Sequence, residues 1–460
     1  MQRSDPLRSE IEAIEADVRE AEKQFTPPAS PRSRVATAVR ALRHRNFQLF
    51  FAGQLISLIG TWMQTVAQSW LVYRLTGSTL LLGTVGFAGQ IPVFLVAPIG
   101  GVIADRTNRR RVVIATQTAS MVLAFILAVL TLTHRIQVWE IMVLAAGLGI
   151  VNAFDIPARQ AFLMDMVGRE DLMNAIALNS SMFNGARILG PAVAGIVVAW
   201  VGEGWCFFAN AVSYIAVIAG LLMMKIKHPL NLASEGSPIE HIVEGFRFVL
   251  DKRPIKSILL LLGLVSLVGM PYSVLMPVFA SQILHGGATE LGLLMGATGV
   301  GALLGALSLA ARVGVRGLGR LIAMCAGGFG ASLILFSFSR LFWLSMVLLV
   351  PVGFTMMVQM ASSNTLLQSM VPDQMRGRVI ALYSMMFMGM APFGAFFAGA
   401  VAHHIGAPWT VAIGGVACIA GAIAFWLDLP NFRAQARELV LAQAMTAGSP
   451  PGEMTSGGLS

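Results

Sequence analysis

Apolar residues in this chain fall into twelve blocks of about 20 to 28 residues, each the length that crosses a bilayer as a helix. They run near Phe47–Tyr73, Thr79–Ala104, Val112–Thr133, Val138–Ala158, Asn174–Val201, Trp205–Met224, Lys256–Ile283, Thr289–Ala311, Leu318–Phe338, Leu341–Leu366, Gly377–His403 and Ala407–Leu427. A water-soluble solenoid of buried helices would also be rich in apolar residues. Its charges would recur every 3.6 residues, whereas these cluster between blocks. Charged residues make up only 12% of the chain, against roughly a quarter in soluble proteins. That is too little charge to cover a water-facing surface. The expected fold class is an all-α membrane protein with twelve transmembrane helices.

Most loops between blocks are short. The long polar connection, Lys225 to Arg253, divides the chain six plus six. The expected organisation is a tail over 1–45, a six-helix bundle over 46–226, a central loop over 227–255, a second bundle over 256–428 and a tail over 429–460. The segment "RSEIEAIEADVREAEKQF" carries a thin apolar stripe at Ile11, Ile14, Val18 and Phe25, which suits an accessory helix. Disorder is the other reading. The closing "MTAGSPPGEMTSGGLS" reads as disordered. The first 45 residues are too polar for a cleavable signal peptide.

Lys and Arg in short loops set orientation. With the N-terminus inside, inner segments hold 24 of them and outer loops only Arg74, Arg135 and Arg340. Both termini are therefore expected in the cytoplasm, with the chain in a bacterial-type inner membrane. This asymmetry accounts for the net charge of +9 without a nucleic-acid partner. Cys206, Cys325 and Cys418 all lie inside apolar blocks, where they read as packing residues, not as a disulfide or metal site.

The two halves repeat each other. "IALNSSMFNGARILGPAVAGIVVAWVG" (Ile176 to Gly202) superposes on "IALYSMMFMGMAPFGAFFAGAVAHHIG" (Ile380 to Gly406) with a constant shift of 204 residues and 12 identities in 27 positions. Blocks five and eleven are thus equivalent. Six spans lie between the copies, so both cross in the same direction, a parallel repeat about an axis along the membrane normal.

The loop after block two reads "GGVIADRTNRRRVVI". Its arginines are topogenic, but that role needs neither the paired glycines nor Asp105. Here the chain resembles the major facilitator superfamily, whose signature loop is Gly-x-x-x-Asp-Arg-x-x-Arg-Arg. The resemblance implies a charge clasp between helices two and eleven that holds the outward-facing state, made here by Gly101, Asp105, Arg106, Arg109 and Arg110. The matching loop of the second half, "ARVGVRGLGR", lacks the acid. "ALRHRNFQLFFAGQLISLIGTWMQTVAQSWLVYRLTGS", "FDIPARQAFLMDMV" and "NAIALNSSMFNGARILGPAVAG" narrow the likeness. Across Ala41 to Leu427 the chain is similar to the transmembrane secretion effector branch, which includes enterobactin exporters and macrolide-type efflux proteins.

In block five, Pro191 removes one backbone hydrogen bond and bends the helix, while glycines let a neighbour pack closely. Gly185, Gly190, Pro191 and Gly195 resemble the Gly-Pro motif of the superfamily's exporters, with Ala194–Gly195 in place of its closing glycine pair. Arg187 lies one turn before the proline, and its repeat counterpart is Ala391. A charge at that depth needs a partner or a cargo. Two readings stand: a structural pairing, for example with Asp155 in "NAFDIPAR", or an anionic group of the cargo.

Gln64, Gln68, Asn179, Gln359 and Tyr383, with Arg187, are candidates to line a cavity. Interhelical hydrogen bonding is their plainer role. Trp62, Phe183, Met360 and Met386 suit an amphipathic cargo or ordinary packing. The acids within the spans are Glu140, Asp155 and Glu290, all near ends, and Asp155 is the candidate coupling residue. Proton antiport is implied by the resemblance. The expected function is a secondary active exporter of a small amphipathic molecule by alternating access. An importer or symporter of a small nutrient is the alternative. A receptor built on a transporter fold is a third class, to which Asp105 is opposed. No nucleotide-binding loop, nucleophile–base pair or metal cluster is legible, so neither an enzyme nor a cofactor or metal is expected. The expected working unit is a monomer in the lipid bilayer.

Overall fold

A computed structural model describes residues 40–225, 238–312, 314–315, 317–432, 435, 436 and 439, without the side chains of 105, 238–243 and 373. The expected accessory helix before residue 40 and most of the tail beyond 432 lie outside the described residues. The first half opens with α1 (Arg45–Thr76), α2 (Thr79–Arg106) and α3 (Arg109–Leu132). A continuous run, Val138–Val201, follows with 64 residues. At about 1.5 Å per residue it would be about 96 Å long, some three bilayer cores, so it is two spans. The break is Gly168, at φ 73° and ψ 179°, a backbone shape essentially reserved for glycine that costs other residues about 1–3 kcal/mol. It separates α4 (138–167) from α5 (169–201). The gap expected after Ala158 is therefore helical up to a one-residue elbow. α6 (Glu203–Met223) completes the half.

The second half comprises α7 (Arg253–Ile283), α8 (Ala288–Ala310), α9 (Leu318–Phe338), α10 (Phe342–Met370), α11 (Asp373–Ile405) and α12 (Ala407–Leu427). The central connection is not all loop. It holds a helix, Pro238–Asp251, whose Glu244 pairs with Arg378 of α11 at 2.5 Å. From the fourth helix of each half onward the repeat keeps its register in the backbone: α4 starts at Val138 and α10 at Phe342, and α5 ends at Val201 and α11 at Ile405, each pair 204 residues apart. Gly202 (φ 89°) and Gly406 (φ 85°) turn the chain straight into α6 and α12 at equivalent points.

Two of the three acids expected within the spans, Glu140 and Glu290, close helix starts. The Glu140 carboxylate accepts from Gln137 N at 2.8 Å, and that of Glu290 from Gly287 N at 2.6 Å. Both satisfy backbone donors that a helix start leaves unpaired. Before α1, the short turn Arg40–Arg43 docks on the elbow. Arg40 pairs with Asp171, His44 Nε2 lies 2.8 Å from the same carboxylate, and Ala41 N donates to Asn174 at 2.7 Å.

An even number of spans puts both chain ends at one face. At the opposite face the halves meet along two related seams. Thr79 Oγ1 of α2 donates to Gly399 O of α11 at 3.0 Å, and Thr289 Oγ1 of α8 donates to Gly195 O of α5 at 3.2 Å. Glycine permits the approach. A Cβ on Gly399 would sit 2.6 Å from Thr79 O, and one on Gly195 2.9 Å from Ala288 O. Without a strong hydrophobic drive between helices in lipid, such close backbone contact supplies the attraction.

Candidate functional site

A cavity of about 550 Å³ lies between the halves, within the size range of small-molecule sites. The two glycine seams close it from the opposite face. Toward the terminal face the helices part. Gly101 of α2 and Gly185 of α5 have open space where a side chain would stand, and Phe183, a wall residue, is 42% exposed. The molecule is therefore open on the side of its chain ends.

Both halves build the walls. Trp62, Gln64 and Gln68 come from α1, Asn152 from α4, Phe183 and Arg187 from α5, and Asn210 and Tyr214 from α6. Met270, Tyr272 and Met276 come from α7, Met295 and Thr298 from α8, Met356 from α10 and Phe387 from α11. Of the expected cavity residues, the fold brings together Gln64, Gln68 and Arg187. It does not bring Asn179, Gln359 or Tyr383 to this cavity. The Tyr383 hydroxyl instead donates to Met360 O at 3.0 Å. Gln359 is 1% exposed, and neither polar atom of its side chain has a hydrogen-bond partner among the described residues.

Asp155 does not pair with Arg187. It is buried, and Arg159 Nε lies 3.2 Å from its carboxylate one turn along α4. Thr116 Oγ1 and Gln117 Nε2 of α3 donate to it at 2.8 and 2.9 Å. The spacing i, i+4 made Arg159 reachable; Arg187 belongs to a different helix. Polar groups continue from this cluster to the cavity. Tyr214 faces Ser120, Thr61 and Asn210, and Asn210 Nδ2 donates to Gln64 Oε1 at 2.6 Å. Arg187 has neither an ion pair nor a hydrogen bond among the described residues, and it is the single charged side chain on the cavity wall.

The feature missed in sequence is the break in α7. Regular helix stops at Leu264, widens over Val265–Gly269, tightens over Met270–Ser273 and resumes only at Met276. Non-helical backbone at membrane depth is tolerated where it is enclosed by protein or lines a cavity. The available signal was "GMPYSVLMP", with Pro271 and Pro277 inside one span. The break delivers Tyr272 to the cavity beside Arg187.

Two of the signature-loop arginines make bonds within the first half. Arg109 Nη1 lies 3.0 Å from Asp165 of α4, and Arg110 donates to Leu221 O and Leu222 O of α6 at 2.8 and 2.9 Å. Arg106 is exposed, and the Asp105 side chain lies outside the described residues.

Twelve spans in two parallel six-helix repeats around a shared, one-sided cavity define a secondary transporter of the major facilitator fold. Residues 36–446 match the transmembrane secretion effector family, and the chain belongs to it. It is similar to the Staphyloferrin A transporter of Staphylococcus aureus, with 27% identity over 82% of this chain and 94% of that one. The multidrug efflux pump Tap of Mycolicibacterium fortuitum is 28% identical over 75% of this chain and 87% of its own. The enterobactin exporter EntS of Shigella boydii is 26% identical over 74% and 81%. Among solved structures, the nucleoside transporter NupG superposes with a TM-score of 0.64 at 15% identity, over 83% of this chain and 98% of that one. A bacterial homologue of ferroportin in an inward-facing state gives 0.63 at 17%, over the same shares. These two likenesses concern the fold. The chain is a multi-pass membrane transporter and not an enzyme.

Proposed function

We propose that this transporter exports a small amphipathic molecule from the cell by alternating access, in exchange for protons. The observation that carries the reading is the cavity of about 550 Å³ shared by both halves and closed at one face by two symmetric glycine seams. Its wall mixes amides and hydroxyls with methionines and aromatic rings, which suits a bulky molecule with both polar and apolar surface. Two of the relatives above are named as exporter or efflux pump, and the Gly-Pro feature of α5 supports the same direction. With the Lys- and Arg-rich terminal face in the cytoplasm, the cavity is in its cargo-loading state. Asp155 is the acid offered for coupling. Among the described residues it is the one acidic side chain tied to the cavity by a run of polar groups through Tyr214, Asn210 and Gln64. Protonation would release Arg159, and that exchange is the element that both faces can bias. Lipid bilayer and protons are the partners, and one copy is the working unit.

The test uses inside-out vesicles loaded with a proton gradient, followed by a quenched acridine dye, with anionic, neutral and cationic amphiphiles added singly. Proton release on adding a compound, absent in Asp155→Asn vesicles, is the expected outcome. Silence from the whole panel overturns proton-coupled export.

A further inference from the structure

Arg187 is the feature that alternating access alone does not use. Its depth in the membrane makes it costly. It lies 14 residues before the end of α5, about 21 Å of helix from that end, too far for its side chain to reach the headgroups. A charged guanidinium at this depth needs an opposite charge or strong acceptors. Among the described residues it has neither, and no carboxylate lines the cavity it faces. The helix does not need the charge to pack. At the equivalent point of α11 the repeat has Ala391, and α11 still forms its seam with α2. Soft apolar residues line the same cavity, Met270 and Met295 from the other half and Trp62 from α1. Tyr272 of the second half stands beside Arg187, and Thr298, whose hydroxyl donates to Leu294 O at 3.3 Å, lines the same cavity.

We propose that this cavity selects amphiphiles bearing an acidic group, a carboxylate seated bidentately on Arg187, with an aromatic or branched apolar body against the methionines. The inference rests on the exporter reading and names its cargo class. The guanidinium offers paired donors that match a carboxylate, and burial strengthens such a bond. Tyr272 brings a hydroxyl of the second half to the same group, so an anion on Arg187 links the two rocking bodies.

The experiment measures equilibrium binding to the full chain in nanodiscs, with no gradient, so it does not depend on coupling. The ligands are naphthalene-2-carboxylate, its carboxamide and 2-naphthylmethylammonium, read at pH 7 by quenching of tryptophan fluorescence. Empty nanodiscs correct for partitioning, and Trp62→Phe identifies the signal from the cavity. The wild-type protein is expected to prefer the acid to the amide by about tenfold or more, as for a hydrogen bond to a charged group. In Arg187→Gln that preference falls to within about twofold, and in Arg187→Glu it turns toward the ammonium ligand. Equal binding of acid and amide to the wild type overturns the anion inference and leaves the exporter reading standing. A preference that survives Arg187→Gln also overturns it. Absence of quenching by all three ligands removes the cavity as an amphiphile site, and both readings fall together. The acid–amide comparison needs no variant, so an Arg187 substitution that misfolds does not leave the question open.

Discussion

α4 and α10 are the same helix twice, yet their centres have opposite character. At one point α4 carries Asp155, and 204 residues later α10 carries Gln359. Asp155 is held by Arg159, Thr116 and Gln117. Around Gln359, the oxygens of Ser362 and Ser363 and both Gln359 side-chain atoms have no hydrogen-bond partner among the described residues. The seam helices differ in the same sense, with Arg187 in α5 and Ala391 in α11. Packing therefore follows the repeat, through Gly195 and Gly399 and through Gly202 and Gly406, whereas at these two paired positions the charge stands in the first half. The lesson is a division of labour. A moving frame must be nearly symmetric to rock between two states. The groups that titrate or bind need to occur only once.

The largest effect should come from erasing this difference. Asp155→Asn makes α4 resemble α10 and should abolish proton-driven transport while leaving exchange of labelled cargo across equal pH. Loss of both together, with the protein still folded, would assign Asp155 to structure alone. Asp155→Asn with Arg159→Gln should restore stability without coupling, because the single change leaves Arg159 without its partner.

The seams offer the next contrast. Adding a methyl at Gly399 or Gly195 forces a backbone shift, for which overpacking by about 1–3 kcal/mol is typical. Gly399→Ala should open the opposite face more than Gly195→Ala, since the clash is at 2.6 Å against 2.9 Å. Thiol labelling of a cysteine placed in the cavity, applied from that face, measures the opening. The reverse order would mean that the two seams are not equivalent gates.

Gln359→Met removes two unpartnered polar atoms at nearly constant volume. It should stabilise the second half by about 1–2 kcal/mol and raise the melting temperature in detergent. A fall would show that Gln359 makes its bonds in the other conformation. Last, Gly202→Ala and Gly406→Ala should each cost about 1–3 kcal/mol, equally, because both residues have positive φ with extended ψ, a region essentially reserved for glycine. A clear inequality in their melting temperatures would limit the symmetry of the frame at that turn.

Much of this could be read from residues in order. Block length reported the spans, since bilayer thickness fixes how many apolar residues a crossing needs. The repeat over 176–202 located α11 and, extended backward, α10. The elbow was harder. Arg159, Arg169, Glu170 and Asp171 are polar enough to suggest a loop, yet they continue two helices past the bilayer and leave only Gly168 to turn. The break in α7 was written in Pro271 and Pro277, but hydropathy averages over such a break and reports one span.

The site divides similarly. That Arg187 is anomalous follows from sequence, because a guanidinium within an apolar block is costly in any packing. Which group meets it does not follow. Asp155 was a reasonable partner by type and depth, and rotation about α4 turned it toward α3 and Arg159. Asn179, Gln359 and Tyr383 had the composition of a cavity wall but face elsewhere. Length, topology class and repeat are properties of the chain taken locally, and lipid enforces them residue by residue. Who faces the cavity depends on the rotation of each helix against its neighbours, set by contacts between residues hundreds of positions apart, and only the tertiary structure decides it.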